Sequence, residues 1–261
     1  MSNEPVRYER QGSVALLTID RPKAMNALDL VTLDCLEQAV NAAVSDPDVR
    51  TLVFTGAGSR AFVAGGDIAD LNSRQGLAHY LEFGERIHAV FRGIEACDKP
   101  TIGAINGWAL GGGLELLLCL DIRIAGESAK IGVPEINLGL FPGAGGSQRL
   151  LRQISPCKAK QLMFTGEPIG AREAEALGLI NSVVPDHDLA AAAMKMATAI
   201  AQKSPLVLKL LKRALYDGNE MPLRASLRYE QAMIGLALDS ADAHEGCSAF
   251  LQKRSPEFRG L

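Results

Sequence analysis

The chain has 261 residues, of which 48% are hydrophobic and 22% are charged. This composition is ordinary for a globular protein and suffices for a substantial core in one or two domains, so disorder as the dominant state is excluded. With 27 basic and 30 acidic residues the net charge is -3, which provides no broad positive field for nucleic acid or anionic lipid. We therefore expect neither nucleic acid nor a membrane as a main partner.

The cysteines and the N-terminal residues indicate a cytoplasmic protein. The five cysteines are scattered and form no CxxC pair, and Cys119 lies in a leucine-rich run, which suits a reducing compartment. Residues 1–13 contain two glutamates and no apolar segment of the kind found in secretory signals. A cytoplasmic location is therefore the expectation.

Strand-like runs alternate with helical patterns in the first half of the chain. Between the first two runs, apolar residues recur at helical spacing over residues 28–45. The alternation predicts an α/β architecture with a layered core. Strands are predicted at residues 14–19, 51–56, 100–105 and 121–126, with a short one at 130–135.

The C-terminal part of the chain is helical throughout. Ser204 and Pro205 form an N-cap and first-turn pair that opens one of its helices. Helical segments are predicted at residues 189–203, 206–218, 222–238 and 241–253. The change in composition predicts a boundary near residue 198, which divides the chain into a core, residues 1–197, and a helical region, residues 198–261.

The most informative segment is residues 101–120, which is largely apolar and contains a single carboxylate, Glu115, just after three consecutive glycines. Burial among leucines disfavours the charged form of this carboxylate and raises its pKa. The segment is long enough to span a bilayer, but its five glycines, Asn106 and Glu115 argue against a membrane helix. A strand, a turn and a buried helix fit better.

A second acid, Glu135, also lies between apolar residues and glycine-rich turns. Two carboxylates in apolar surroundings are what acid–base catalysis at neutral pH requires. Each has a simpler interpretation when it is taken alone. Glu115 could be a first-turn glutamate that stabilises a helix by about 0.3 to 1 kcal/mol, and Glu135 could be a solvated turn residue.

Two glycine-rich turns are candidates for an oxyanion hole. The order of strand, glycine turn and helix places the N–H of Gly112 at a helix N-terminus, where the partial positive charge favours an oxyanion. A second turn, AFVAGGDI, follows the strand at 51–56 and predicts the N–H of Ala64 as the partner donor. Each such donor is typically worth about 10²- to 10³-fold in rate. The glycines of residues 143–146 are interpreted as turn formers only.

Several cofactor-binding patterns are absent from the sequence. It contains no GxGxxG after a strand, no GxxxxGK[ST], no HExxH and no GxSxG, and its four histidines are far apart. Dinucleotide, nucleoside triphosphate and metal sites are therefore disfavoured, and we predict no metal and no cofactor.

Six motifs follow one another along nearly the whole chain. They are RPKAMNAL, AFVAGGDI, KPTIGAINGWALGGGLEL, PEINLGLFPGAGGSQRL, TGEPIGAREAEALGLIN and EGCSAFLQKR. In this order and spacing they resemble the crotonase superfamily, and more closely its enoyl-CoA hydratase branch. The resemblance implies an α/β core of repeated ββα turns and a helical C-terminal region used in trimer formation, commonly within a dimer of trimers.

The resemblance also implies a set of site residues. Glu115 and Glu135 match the two glutamates of the hydratases, and Ala64 and Gly112 match the two donors to the thioester carbonyl. The side chain of Asp67 is expected to cap a helix that starts near Ile68, while its backbone lines the pocket. Contacts with the coenzyme A or acyl part of the substrate are implied for Arg21, Lys23, Ala24, Ala61, Gly65, Gly66, Asp67, and, often from a neighbouring subunit, Phe250 and Lys253.

The implied activity is the reversible hydration of trans-2-enoyl-CoA to 3-hydroxyacyl-CoA. Enolate-like charge develops on the thioester oxygen while water loses a proton at C3 and C2 gains one, so two carboxyl groups can share the work without a metal. We assign Glu135 to proton delivery at C2 and Glu115 to holding and activating water. Coenzyme A is part of the substrate and not a cofactor.

Other functions on the same scaffold stay open at this point. An enoyl-CoA isomerase needs only one proton-shuttling carboxylate beside the oxyanion hole, and neither glutamate excludes a crotonase-type lyase or hydrolase. A scaffold that binds acyl-CoA, RNA or a protein without turnover is a different class. The near-neutral charge balance argues against the RNA-binding alternative.

Overall fold

The computed structural model describes residues 4–74 and 76–261. Its strands are β1 (Val6–Gln11), β2 (Val14–Ile19), β3 (Thr51–Gly56), β4 (Ala61–Val63), β5 (Thr101–Ile105), β6 (Trp108–Leu110), β7 (Ile122–Gly126), β8 (Lys130–Gly132), β9 (Ile169–Gly170) and β10 (Ser182–Val184). Its α-helices are α1 (Leu30–Ser45), α2 (Ile68–Asn72), α3 (Glu85–Glu95), α4 (Gly112–Leu117), α5 (Gly146–Gln153), α6 (Pro156–Thr165), α7 (Ala171–Ala176), α8 (Leu189–Ala201), α9 (Pro205–Asn219), α10 (Leu223–Leu238) and α11 (Ala241–Leu251). One π-helical turn, His79–Gly84, leads into α3.

The strands form two sheets. The larger sheet has the order β1-β2-β3-β5-β7-β10 and the smaller one the order β4-β6-β8-β9. Pairing is parallel except between β1 and β2 and between β8 and β9. From β3 to β8, consecutive strands enter different sheets, and a helix follows a pair of strands, as in β5, β6 and α4. The predicted α/β class with repeated ββα turns is therefore confirmed.

Side chains of the larger sheet alternate between two apolar clusters, because successive residues of a strand face opposite sides. In β5, Ile102 and Ala104 pack with Leu189 and Ala193 of α8, whereas Ile105 belongs to the main core. That main core also contains side chains of α1, α3, α4 and the smaller sheet. Helix α8 therefore covers one face of the larger sheet, and the other face is buried against these elements.

Helix α4 approaches both sheets closely, and glycine makes this approach possible. A Cβ on Gly113 would overlap the carbonyl oxygen of Val63 in β4, and a Cβ on Gly103 in β5 would lie 2.9 Å from a leucine methyl of α4. Every residue of α4 is buried as a result, Glu115 included. The strand, turn and buried helix predicted for residues 101–120 are confirmed, and β6 is an additional short strand.

The C-terminal helices form as predicted. The hydroxyl of Ser204 accepts a hydrogen bond from Val207 N at 3.1 Å, and Pro205 starts α9. Residue 198 lies inside α8, and the chain leaves the larger sheet as α9 and α10, which pack on each other. The division of the chain at this residue stays a prediction. Within the described ranges, no helix is long and apolar enough to cross a bilayer.

Candidate active site

Glu115 lies in the first turn of α4 and is only 3% exposed. Its Oε1 accepts hydrogen bonds from the backbone N–H groups of Ala144, at 2.7 Å, and Gly146, at 2.8 Å. Both amides belong to the glycine-rich turn that precedes and opens α5. A Cβ on Gly146 would lie 2.8 Å from Glu115 Cγ, so glycine permits the approach. The glycines form a turn as predicted, and the amides of this turn in addition bind the carboxylate, which the sequence does not indicate.

The surroundings of Glu115 bring its pKa to a value that suits proton transfer. Burial is the main cause and raises the pKa of Glu115 to about 7. The N–H of Gly146 lowers the pKa, the nearby carboxylate of Glu135 raises it, and the N–H of Ala144 and the cation of Arg149 lower it. Both protonation states are therefore well populated at neutral pH, as a general acid–base requires.

Glu135 lies in the short 3₁₀ turn Pro134–Leu138, directly after β8. It is half-buried rather than solvated, and burial raises the pKa of Glu135. Its Oε2 is buried and has no hydrogen-bond partner in the part of the chain that the structure describes. A buried acceptor without a donor is unfavourable. This oxygen is thus available to a proton or a hydroxyl of a bound molecule.

Gly111 brings the two acids to one backbone turn. Its φ of 52° lies in the left-handed region, and its carbonyl accepts the N–H of Glu115 at 2.9 Å. A Cβ at Gly111 would lie 3.0 Å from Glu135 Oε1. Gly111 therefore neighbours both of the acids that the sequence predicts, the backbone of Glu115 and the carboxylate of Glu135.

Several backbone amides beside this turn have no acceptor within residues 4–74 and 76–261. Among them are the N–H of Gly112 at the first position of α4 and the N–H of Gly66 in the turn after β4. They are adjacent, since a Cβ on Gly112 would lie 3.5 Å from Gly66 N. Ala64, which the sequence predicts as a donor, gives its N–H to the carbonyl of Met25 at 3.1 Å. The geometry therefore disagrees with Ala64 and favours Gly66.

Of the residues predicted to contact coenzyme A, some lie at the loop after β2 and the pocket beside it, and Gly65 lies beside α4. Lys23 is exposed and Ala24 is half-buried, and both flank a pocket of about 220 Å³ that Ala61 helps to line. Gly65 is buried beside α4, where a Cβ would meet the carbonyl of Leu110 at 3.4 Å. Their contact with coenzyme A stays a prediction.

Arg21 and Asp67 have structural partners within the chain. Arg21 Nη2 lies 2.9 Å from carboxylate oxygens of both Asp29 and Asp67. Asp67 caps α2 as predicted, accepting the N–H groups of Ala69 at 3.1 Å and Asp70 at 3.3 Å. The guanidinium of Arg21 thus ties together the caps of α1 and α2, an ordering role that the sequence analysis did not foresee.

Phe250 and Lys253 lie at the C-terminal end of the described chain, in and just after α11. Phe250 is 83% exposed and Lys253 is exposed as well. Neither makes a hydrogen bond or an ion pair with the described residues around Glu115. Their contribution to a neighbouring subunit's site stays a prediction.

Comparisons with known proteins agree over almost the whole chain. A family model described as enoyl-CoA hydratase/isomerase matches residues 9–260. A crotonyl-CoA hydratase of Syntrophomonas wolfei is 43% identical over 258 residues, covering 99% of each chain. A 2,3-dehydroadipyl-CoA hydratase of Escherichia coli is 40% identical, covering 96% of this chain and 97% of its own. The crystal structure of an enoyl-CoA hydratase from Bacillus anthracis has a TM-score of 0.95 and 35% identity, covering 98% of this chain and 100% of its own.

Proposed function

The chain belongs to the enoyl-CoA hydratase/isomerase family, and we propose that it adds water reversibly to trans-2-enoyl-CoA, giving 3-hydroxyacyl-CoA. The observation that carries the proposal is that Glu115 and Glu135 both neighbour Gly111 and interact through their charges, next to the amides of Gly66 and Gly112, which have no acceptor in the described chain. Relatives named as hydratases support the same reaction. The arrangement offers two proton-transfer groups, whereas an isomerisation requires one.

In the proposed mechanism, the thioester carbonyl oxygen binds between the N–H groups of Gly66 and Gly112. Attack of water at C3 pushes the π electrons toward this oxygen, which becomes enolate-like. The two amides and the positive end of α4 stabilise that charge more strongly than they stabilise the neutral carbonyl. Donors that favour the transition state over the bound substrate raise kcat.

The two acids complete the addition. Oε1 of Glu115 is held by two amides, so its other oxygen is left to orient the water and accept its proton. Glu135, with a buried oxygen that lacks a partner in the described chain, delivers a proton to C2. One O–H bond of water, the C2–C3 π bond and the O–H bond of Glu135 are broken, while a C–O bond at C3, a C–H bond at C2 and an O–H bond on Glu115 are formed. Transfer of the proton from Glu115 back to Glu135 completes the cycle. The apparent pKa values belong to the pair because the two groups interact.

The chemistry also bears on cofactors and assembly. All electrons of the addition come from the water and the double bond, so the proposed reaction uses no redox cofactor. The amides stabilise the charge on the thioester oxygen, so we propose no metal either. Coenzyme A enters as part of the substrate.

We propose that the chain assembles as a homotrimer or a dimer of trimers. The exposed apolar side chains of α10 support this assembly. The cytoplasmic location stays a prediction.

The two-acid mechanism is tested by Glu115→Gln and Glu135→Gln, which keep the shape of each side chain but remove its titration. Each variant is expected to lower kcat on crotonyl-CoA by about 10²-fold or more, while acyl-CoA binding persists. Glu220→Gln, at an exposed position after α9, is the control and should retain full turnover. Turnover at the wild-type rate in either active-site variant would refute the mechanism.

A further inference from the structure

Helix α3 and helix α5 are joined by an ion pair directly behind the turn that binds Glu115. Arg149 Nε lies 2.8 Å from Glu95 Oε1, and Arg149 Nη2 lies 2.6 Å from Glu95 Oε2. The side chains are only 16% and 26% exposed. Paired N–H donors in this forked geometry fix the orientation of a guanidinium as well as its position. The hydrogen bond with Glu95 raises the pKa of Arg149, so its charge is permanent.

The guanidinium of Arg149 packs against the turn itself. A Cβ on Gly145 would overlap Arg149 Nη1, and the same nitrogen lies 3.4 Å from the carbonyl of Ala144. The backbone N–H of Arg149 donates to the carbonyl of Gly145 at 2.8 Å. Because a peptide unit is planar, holding the Gly145 carbonyl also aims the N–H of Gly146, which binds Glu115.

The other amide that binds Glu115 is aimed in the same way from α3. His88 Nε2 lies 2.8 Å from the carbonyl of Gly143. That carbonyl and the N–H of Ala144 belong to one trans peptide unit and point in opposite directions. The N–H of Ala144 reaches Glu115 Oε1 at 2.7 Å. His88 and Glu115 therefore hold opposite sides of the same peptide.

Arg149 also acts on Glu115 through its charge. Charged or titratable groups that face Glu115 are Glu135 from the 3₁₀ turn after β8 and Arg149 from α5. Cys119, two residues after the end of α4, donates its thiol hydrogen to the carbonyl of Glu115. Burial raises the pKa of this thiol to about 12, so it is uncharged at neutral pH. Strands β4 and β6, which also pack against α4, contain no titratable residue. Arg149 is thus the cation among these neighbours.

We propose that Glu95, Arg149 and His88 form a clamp of positioning residues that fixes residues 143–146 and, through their amides, sets the orientation and protonation of Glu115. None of the three touches the reacting atoms. The inference rests on the proposed function in that it takes Glu115 as a group that exchanges a proton with substrate or water. Loss of the clamp should therefore change kcat and its pH dependence, and leave KM for acyl-CoA nearly unchanged.

The experiment titrates Glu115 directly by difference infrared spectroscopy of its carboxyl band, identified by its loss in Glu115→Gln. The wild type should titrate near pH 7. In Arg149→Gln the transition should move upward by on the order of one pH unit, because a nearby cation and a fixed turn are lost. Arg149→Lys keeps the charge but not the fork, so its titration should stay near the wild type while kcat falls about tenfold.

Two further variants separate the clamp from general stability. Glu95→Gln should lower kcat about tenfold with KM unchanged, and its effect should not add to that of Arg149→Gln. Arg86→Gln is the matched control, since Arg86 in α3 pairs with Asp34 at 2.6 Å and Glu37 at 2.7 Å in α1. This control should leave the titration and kcat unchanged.

The outcomes distinguish the two proposals. A folded Arg149→Gln protein whose Glu115 titrates as in the wild type would overturn the clamp. If that variant does not fold, wild-type kcat and pH profile in both Arg149→Lys and Glu95→Gln would overturn it instead. A wild-type protein that hydrates no enoyl-CoA would refute the proposed function, while the infrared titration, which needs no substrate, would still decide the clamp.

Discussion

At the scale of the residue, Glu115 combines two properties that oppose each other. A carboxylate that is 3% exposed is unfavourable in its charged form, yet the two amides at Oε1 favour that same form. The balance leaves the pKa of Glu115 near neutral rather than at its ordinary value of 4.5. Ionisation of Glu115 therefore lowers the free energy of unfolding of the protein by an amount that depends on pH.

That cost gives a prediction for stability. Because its pKa is raised on folding, Glu115 binds its proton more tightly in the folded than in the unfolded state, so stability falls as pH rises from 4.5 to about 7. Glu115→Gln removes this dependence. Relative to the variant, the wild type should lose at most about 3 kcal/mol between pH 4.5 and pH 8. Urea unfolding at both pH values and a fixed protein concentration measures the difference, and parallel pH dependences of the two proteins would contradict it.

The same residue shows what a sequence can and cannot predict of a site. A single acid in a leucine-rich run after three glycines was enough to identify Glu115. The sequence predicts Ala64 as the donor opposite Gly112, but the N–H of Ala64 is bound to the carbonyl of Met25 in the loop after β2, a contact that no local pattern indicates. Nor does a local pattern mark the pair of Glu95 and Arg149, because 54 residues separate them.

At the scale of the element, the sequence predicts the longer strands with buried faces and the short strand β8, whereas it does not predict the edge strand β1 or the short strands β4 and β6. Strands β2, β3 and β5 are largely apolar runs, as expected for strands that are covered on both faces, and β7 is similar except for the buried Arg123. Strand β1, VRYERQ, has one buried residue and lies at the edge of its sheet. Strands β4 and β6 have three residues each and are defined by their pairing, β4 with β6 and β6 also with β8. Such pairing is a property of the fold and leaves little periodicity in the sequence.

The junction of α4 with the turn after β4 provides a second prediction. In Gly112→Ala the new methyl would meet nothing closer than 3.5 Å, so the fold should be retained. The methyl would nevertheless stand beside Gly66 N and obstruct the space between the two amides. We expect kcat/KM on crotonyl-CoA to fall by about 10²-fold, comparable to the loss of one oxyanion donor.

The control for this substitution is Gly235→Ala in α10, where a Cβ would have no neighbour within 4 Å among the described residues. Both variants add one methyl group to a helix. Thermal unfolding should show both to be folded, and only Gly112→Ala should lose activity. Full activity in Gly112→Ala would contradict the placement of the oxyanion hole at Gly66 and Gly112.

At the scale of the whole molecule, the C-terminal helices are attached to their own core by buried polar groups. Lys212 Nζ lies 2.7 Å from Asp121 Oδ2, and the hydroxyl of Tyr216 donates to Asp121 Oδ1 at 2.8 Å. Asp121 also accepts the N–H of Thr101 at the start of β5. These contacts fix α9 relative to the larger sheet, so the helices that follow are presented in a defined orientation.

Helix α10, the partner of α9, exposes an apolar stripe. Its exposed side chains include Leu223, Leu227, Ile234 and Leu238, whose spacing of four and seven residues places them on one face of the helix. Large exposed apolar surfaces on a globular chain are typical of interfaces. Burial of this stripe between subunits of the proposed trimer or dimer of trimers would explain why it is exposed in a single chain.

The assembly is therefore tested on the stripe rather than by truncation, which would also remove the contacts of α9 with Asp121. The double variant Leu227→Lys, Ile234→Lys places charges where apolar side chains are exposed in a single chain, so each subunit should still fold. Light scattering coupled to gel filtration should give a trimer or hexamer for the wild type and a lower mass for the variant. Arg228→Glu, at an exposed position off the stripe, is the control and should keep the wild-type mass. A monomeric wild type, or a double variant of wild-type mass, would contradict an interface on α10.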